Sequence, residues 1–198
     1  MKIFFDTEFT GLHKDTTLIS MGCVDENGRT FYAEFCDYAK DQVNEWIKNN
    51  VIAHLKYLKF PVNTDHKVHV YNISNDSIEV YGTKEAIAGV LKTWLSKYDS
   101  VELVSDVCHY DMVLFIDLFG GAFDLPSNVN ASCHDINQDI AWYFRVSEKE
   151  AFDMCREDII RLYWFYEMYP SLTLIEGDKH NSLYDAKVIR AIYKQLNS

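Results

Sequence analysis

The dipeptide Asn27-Gly28 lies between two apolar runs, residues 17–25 and 29–35, and it constrains the start of the fold more than any other feature. Asn-Gly flanked by apolar residues is a strong hairpin signal, because both residues tolerate backbone angles that side chains elsewhere avoid. A shorter apolar run, residues 2–6, ends in acid and reads as a buried strand, with Gly11 as the turn that follows. The chain therefore opens as a three-stranded antiparallel meander. Val43, Trp46, Ile47, Val51, Leu55 and Leu58 fall at roughly helical spacing and predict a helix over 41–58. Residues 61–82 read as short extended pieces or a loop. Helices are expected over 84–97, 109–119, 136–144, 147–167 and about 181–196, and strands over 101–105 and 129–134. A meander followed by alternating helix and strand predicts an α/β fold, a mixed sheet with helices packed on it.

Composition narrows the class. The chain has 198 residues, which predicts one domain spanning 1–198, and 48% hydrophobic with 25% charged residues is ordinary for a globular protein. That excludes a disordered tail, a collagen and a disulfide miniprotein. Acidic residues outnumber basic ones 30 to 19, giving a net charge of −11. That argues against a coat protein or a binder relying on a broad basic surface, but not against an enzyme that reaches nucleic acid through metal ions at a small acidic site. No stretch approaches the roughly 20 apolar residues of a membrane span, so no membrane partner is expected. Asp6 arrives too early for a signal peptide. The five cysteines are odd in number and form no Cys-x-x-Cys pair, which predicts reduced, buried thiols and a cytoplasmic location.

Three groups of residues can carry chemistry. Asp6 and Glu8 stand two apart on a strand, so they share a face, with Phe4 behind them. Neighbouring carboxylates repel, and burying either unpaired is costly. A divalent cation with oxygen ligands resolves both problems; solvated acids at a strand end fit the same spacing. Asp111 heads a helical stripe that continues through Leu114, Phe115 and Leu118. A first-turn acid favoured by the helix dipole fits it equally. Asp106, in the preceding turn, is the competing acid. Asp185 belongs to the apolar stripe of Ile189, Ile192 and Leu196, and an acid there needs a partner. Lys187, Arg190 and Lys194 form the opposite, solvated face. His180 precedes Asp185 by five residues and can swing over a site, where a neutral imidazole is a general base; a surface-loop histidine is the alternative. Asp135 is expected to cap the helix after it, and Asp139, Asp153 and Asp158 to be bystanders.

In chain order, Phe5-Asp6-Thr7-Glu8-Phe9-Thr10-Gly11-Leu12, Tyr110-Asp111 and His180-Asn181-Ser182-Leu183-Tyr184-Asp185-Ala186 resemble the motifs of the DEDDh group of 3′-5′ exonucleases. That group includes ribonuclease T, oligoribonuclease and polymerase proofreading domains. The resemblance covers nearly the whole chain. Asn181 stands where the tyrosine class of these enzymes carries Tyr, so the histidine class is the one matched. Many members have His-Asn a few residues before the second-motif Asp. This chain has Asp106-Val107 there, which leaves Asp106 as an alternative to the favoured Asp111. The segment Trp46-Ile47-Lys48-Asn49-Asn50-Val51, followed by Leu55, also resembles the helix after the meander in small, dimeric bacterial exoribonucleases of this type.

The resemblance implies a ribonuclease-H-like fold with a five-stranded mixed sheet and two Mg²⁺ or Mn²⁺ ions. Asp6, Glu8, Asp111 and Asp185 are the implied metal ligands and His180 the implied general base. The implied activity is release of nucleoside 5′-monophosphates from the 3′ end of single-stranded or 3′-overhang RNA, by a homodimer. Phe9 and Leu12 can wedge against terminal bases, where stacking is worth about 1–3 kcal/mol per base, and His109 and Tyr110 are further candidates for substrate contact. A 3′-5′ exodeoxyribonuclease of the same mechanism is one alternative, since the choice depends on contacts to the 2′-OH. A non-catalytic binding module on the same fold is another; the presence of every catalytic residue type argues against it.

Overall fold

A computed structural model describes residues 1–58, 68–164 and 175–197. Strands β1 (Lys2–Phe9), β2 (Leu18–Asp25) and β3 (Thr30–Phe35) form the expected meander, with Asp6 opposite Gly22 and Gly22 opposite Tyr32. At the second turn Asp25 Oδ1 accepts from the backbone N–H groups of Asn27 and Arg29, both at 2.8 Å, and Gly28 takes φ +93°. A side-chain carboxylate that caps its own turn is the reason Asp recurs at such positions.

The sheet has seven strands, not five, in the order β4-β5-β3-β2-β1-β6-β7. Residues left open by the sequence fold as a hairpin of β4 (Val68–Ser74) and β5 (Ser77–Gly82), with β5 parallel to β3. The hairpin carries little periodic signal because β4 is a sheet edge on which Val70 and Ile73 stay exposed. On the other side β6 (Val101–Ser105) runs parallel to β1, and β7 (Val129–Asp135) parallel to β6.

The helices are α1 (Glu45–Asn50), α2 (Lys84–Leu95), α3 (His109–Leu118), α4 (Ile136–Phe144), α5 (Glu148–Asp153), α6 (Arg156–Trp164) and α7 (Ser182–Leu196). Two expected helices are broken. Over 41–58 only α1 is α-helical, between 3₁₀ turns at Lys40–Gln42 and Ile52–His54, because Asn44 caps it by accepting from the Ile47 N–H at 2.8 Å. Ile47, Val51 and Leu55 still pack inward, against Ile19 and Tyr38. Over 147–167 the chain breaks at Met154, which is extended (ψ 134°), and divides into α5 and α6. The 61–67 and 165–167 parts of those expectations lie outside the described residues.

Alternation along β1 sorts the core. Ile3 and Phe5 pack with Met21, Phe31 and Ala33 against Leu91, Trp94 and Phe115 of α2 and α3. Phe4 points the other way, with Ile136 and Ile140 of α4, Ile159 of α6, and Ile189 and Ile192 of α7. Past the core, Asp6 and Glu8 continue the Phe4 face and Thr7 continues the Phe5 face. All five cysteines are free thiols, but only Cys23 is buried and Cys155 is exposed, against the expectation of buried thiols. Among the described residues no helix is long and apolar enough to cross a membrane.

Candidate active site

The site forms where α7 rests on the meander. Gly22 lies opposite Asp6, and a Cβ there would stand 2.3 Å from the Leu183 amide nitrogen and 2.4 Å from the Ser182 carbonyl carbon. Lacking one, the first turn of α7 lies directly on β2, and Ser20 and Ser182 hydrogen-bond across the contact at 3.0 Å. Asn181 caps the helix by accepting from the Tyr184 N–H at 3.2 Å. Asp185 is thereby carried over the end of β1. One ligand oxygen from each of Asp6, Glu8 and Asp185 falls within 4.8 Å of the others.

His180 closes over this trio. Its backbone sits at φ +66°, its N–H donates to Asp185 Oδ2 at 2.9 Å, and its Nδ1 lies 3.8 Å from Glu8 Oε1. The Trp46 ring meets the imidazole edge-on, with centroids 5.0 Å apart. Burial, then the neighbouring Lys179 and His54 charges, lower the His180 pKa, so the ring is neutral near pH 7.

Among the described residues no lysine or arginine forms an ion pair with these acids, and the charge of nearby Lys179 does not offset the burial of Asp185. Burial, followed by repulsion from Asp111, Asp185 and Glu8, holds Asp6 well above the usual carboxylate range. Glu8 is pushed up to about 9 by burial and then by Asp185 and Asp111. Burial raises Asp185 to about 7, against the hydrogen bond from His180. Such repulsion is what a divalent cation removes, so the donor set fits the implied metal.

The two second-motif candidates differ in their partners. Asp111, 5% exposed, accepts at Oδ1 from the Thr7 N–H (3.1 Å) and hydroxyl (2.5 Å), and at Oδ2 from the Ser105 hydroxyl (2.6 Å). These are neutral donors, so its charge persists; burial raises it to about 6, and it is the largest source of repulsion on Asp6. Asp106 instead pairs with the Arg156 guanidinium at 2.6 and 2.8 Å. Asp111 stands beside the converging trio rather than within it.

The four candidate substrate residues do not line the acidic cleft. Phe9 stacks on Tyr110, with centroids 5.3 Å apart and planes 20° from parallel, and also packs on the core. Leu12 is 79% exposed. His109 and Tyr110 line a separate cleft of about 610 Å³, together with His13, Lys14 and Val113. The acidic cleft, about 280 Å³, is walled instead by Phe152, Arg156 and Lys179, which sequence reasoning missed. Phe152 and Arg156 flank the break in an expected continuous helix, so no periodic signal marks them; Lys179 had only its place beside His180 to mark it.

Among the bystanders, Asp135 caps α4 as expected, accepting from the Asn137 N–H at 2.9 Å. Asp139, Asp153 and Asp158 pair with His134, Lys149 and Arg161. Lys187 and Arg190 are partly buried rather than solvated, and Arg190 donates to the Glu26 carbonyl at 2.9 Å.

No family model matches the chain. Two curated Mycobacterium tuberculosis proteins are similar to it: 3′-5′ exoribonuclease Rv2179c (strain ATCC 25618 / H37Rv) and 3′-5′ exoribonuclease MT2234.1 (strain CDC 1551 / Oshkosh). Each is 26% identical over 140 residues, which cover 70% of this chain and 73% of the relative. Two solved structures share the fold at 12% identity. One, the nuclease domain of 3′hExo, a DEDDh family member, bound to rAMP, matches with a TM-score of 0.60 over 99% of this chain and 90% of that one. The other, a 3′-exonuclease in 3′-end specific recognition of a histone mRNA stem-loop, matches with a TM-score of 0.61 over 98% of this chain, which spans only 63% of that chain's length. The solved DEDDh nuclease domain shares the fold of this chain, and the order of the acidic motifs and the two curated relatives support a likeness to the DEDDh 3′-5′ exonuclease family.

Proposed function

We propose that the protein is a metal-dependent 3′-5′ exoribonuclease that releases nucleoside 5′-monophosphates from the 3′ end of single-stranded or 3′-overhang RNA. The observation that carries this reading is the convergence of Asp6, Glu8 and Asp185 oxygens within 4.8 Å, beneath a histidine held neutral. The choice of RNA is supported by the names of the curated relatives and by the histone mRNA stem-loop and the rAMP named for the two solved structures.

Asp6, Glu8 and Asp185 would hold one Mg²⁺ or Mn²⁺, and Asp6 with Asp111 a second. When bound, the cations supply Lewis-acid stabilisation of the charge that develops on the phosphate and the departing 3′ oxygen. The chain does the rest. Asp6 and Glu8, side by side on a rigid strand, would fix where a cation sits. Thr7 and Ser105 hold both Asp111 oxygens in place by neutral hydrogen bonds. His180 takes the proton of the attacking water at an imidazole nitrogen, and the Asp185 carboxylate anchors the His180 backbone. Trp46 limits the swing of the ring. A site that binds only terminal nucleotides needs no basic groove, which is consistent with the net charge of −11.

The test uses matched 5′-labelled RNA and DNA oligonucleotides with Mg²⁺, with Mn²⁺ and with EDTA. A metal-dependent ladder that shortens from the 3′ end is expected, faster on RNA. No ladder on either substrate, from folded protein with metal present, overturns the reading; a faster ladder on DNA makes the enzyme an exodeoxyribonuclease.

A further inference from the structure

Arg156 and Lys179 are the cations in the wall of the acidic cleft among the described residues, and Arg156 has nothing left to offer a substrate. A guanidinium carries five N–H donors. Nε and Nη2 donate to the two oxygens of Asp106 at 2.6 and 2.8 Å, and Nη2 also reaches Asn137 Oδ1 at 2.6 Å. Nη1 donates to the carbonyls of Ala151 and Met154 at 2.8 and 2.7 Å. Those carbonyls belong to the last turn of α5 and to the break after it, so the same side chain that stabilises the break reaches back to the end of β6.

Asp106 lines the same cleft as Asp6, Glu8 and Asp185. Without Arg156 it would be a further uncompensated carboxylate facing the trio, competing for any cation and repelling the others. The turn that follows it is held from the same side: Asn137 Nδ2 donates to Asp106 Oδ1 at 2.9 Å, and Asp135 accepts from the N–H groups of Val107 and Cys108. Val107 has φ +54°, an uncommon conformation for a β-branched residue. This turn leads into α3 and delivers Asp111.

We infer that Arg156 is a positioning residue of the site: it neutralises Asp106, withdraws it from the cation-binding set, and leaves Asp6, Glu8, Asp111 and Asp185 as the acids that hold metal. The inference rests on the exonuclease reading above. Arg156 acts through Asp106 and touches neither substrate nor metal.

The test is Mn²⁺ titration of the metal-free full chain, followed by electron paramagnetic resonance, with folding checked by circular dichroism. Asp106→Asn leaves the guanidinium uncompensated in the cleft and is expected to weaken Mn²⁺ binding about tenfold. Arg156→Met leaves Asp106 unpaired and is expected to tighten binding by about the same factor. The double variant removes both charges and is expected to return to within about threefold of the native chain. A double variant as weak as Asp106→Asn would show Asp106 to be a metal ligand and overturn the inference, as would native affinity in Arg156→Met. If Arg156→Met does not fold, Arg156→Lys replaces it: native-like affinity is then expected, and a change beyond about threefold overturns the inference. Asp6→Asn separates the two levels. If it binds Mn²⁺ like the native chain, the exonuclease site itself is misplaced; if it abolishes binding while the double variant fails to recover, only the role of Arg156 falls.

Discussion

Gly22 on β2 and Leu183 on α7 are in backbone contact, so close that a methyl group on Gly22 would lie 2.3 Å from the Leu183 nitrogen. This contact brings Asp185 over Asp6, which stands opposite Gly22 in the sheet. The convergence of Asp185 with Asp6 and Glu8 thus depends on a residue that carries no functional group.

Replacing Gly22 by Ala is expected to force α7 away from the sheet. Overpacking of this kind costs about 1–3 kcal/mol, and the displacement of Asp185 and His180 is expected to lower kcat by about 100-fold or more, since small misplacements of reacting groups carry losses of that order. Thermal denaturation and RNA hydrolysis measure the two effects. Native turnover in this variant would refute the placement of α7.

Asp6→Asn is expected to abolish turnover and yet raise the melting temperature of the metal-free protein. The native carboxyl is buried among Asp111, Asp185 and Glu8, all of which repel its charge. Removing that charge relieves repulsion while keeping the shape. Calorimetry in EDTA reads the stability and the labelled-RNA assay the activity. A destabilised Asp6→Asn protein would contradict the electrostatics described.

The metal-free protein is expected to lose stability as pH rises. A carboxyl whose folded pKa is raised keeps its proton where the unfolded chain has lost it, so the folded state binds more protons and the unfolding free energy falls with rising pH. The window opens near pH 4, where free carboxyls ionise, passes the values of about 6 for Asp111 and about 7 for Asp185, and closes near the value of about 9 for Glu8. Melting temperatures between pH 5 and pH 9 should decline in EDTA and flatten in Mg²⁺. A flat profile in EDTA would speak against the raised values.

His180→Asn tests the base without altering the backbone, because Asn tolerates the left-handed conformation found at φ +66°. Turnover is expected to fall about 10²–10⁴-fold, the usual contribution of a general base, while Mn²⁺ affinity stays within about threefold. The acid limb of the pH–rate profile, set in the native enzyme by a histidine whose pKa is lowered, should disappear.

The meander and the order of the strand and helix alternation were legible in the residues, and so were the acids Asp6, Glu8 and Asp185 that the fold brings together near His180. Their signals are local: Asn27-Gly28 encodes a turn, i and i+2 share a strand face, and Asp185 repeats with Ile189 and Ile192 on one helix stripe. The β4–β5 hairpin and the breaks at Asn44 and Met154 were not legible, for opposite reasons. The hairpin is a half-solvated edge that needs no strict pattern, whereas the breaks interrupt a good pattern with a side-chain cap at Asn44 and with the Arg156 guanidinium on the Met154 carbonyl.

The residues alone determined which acids and which histidine are available and in what order, because motif chemistry and local periodicity require nothing beyond neighbouring positions. Only the tertiary structure decided which of them come together. Asp106 and Asp111 lie five residues apart at one turn, and the residues favour Asp111 while leaving Asp106 as the alternative. The fold places a guanidinium from α6 on the first and only hydroxyls and a backbone N–H on the second. Charge compensation between residues 50 apart in sequence is a property of packing, not of spacing.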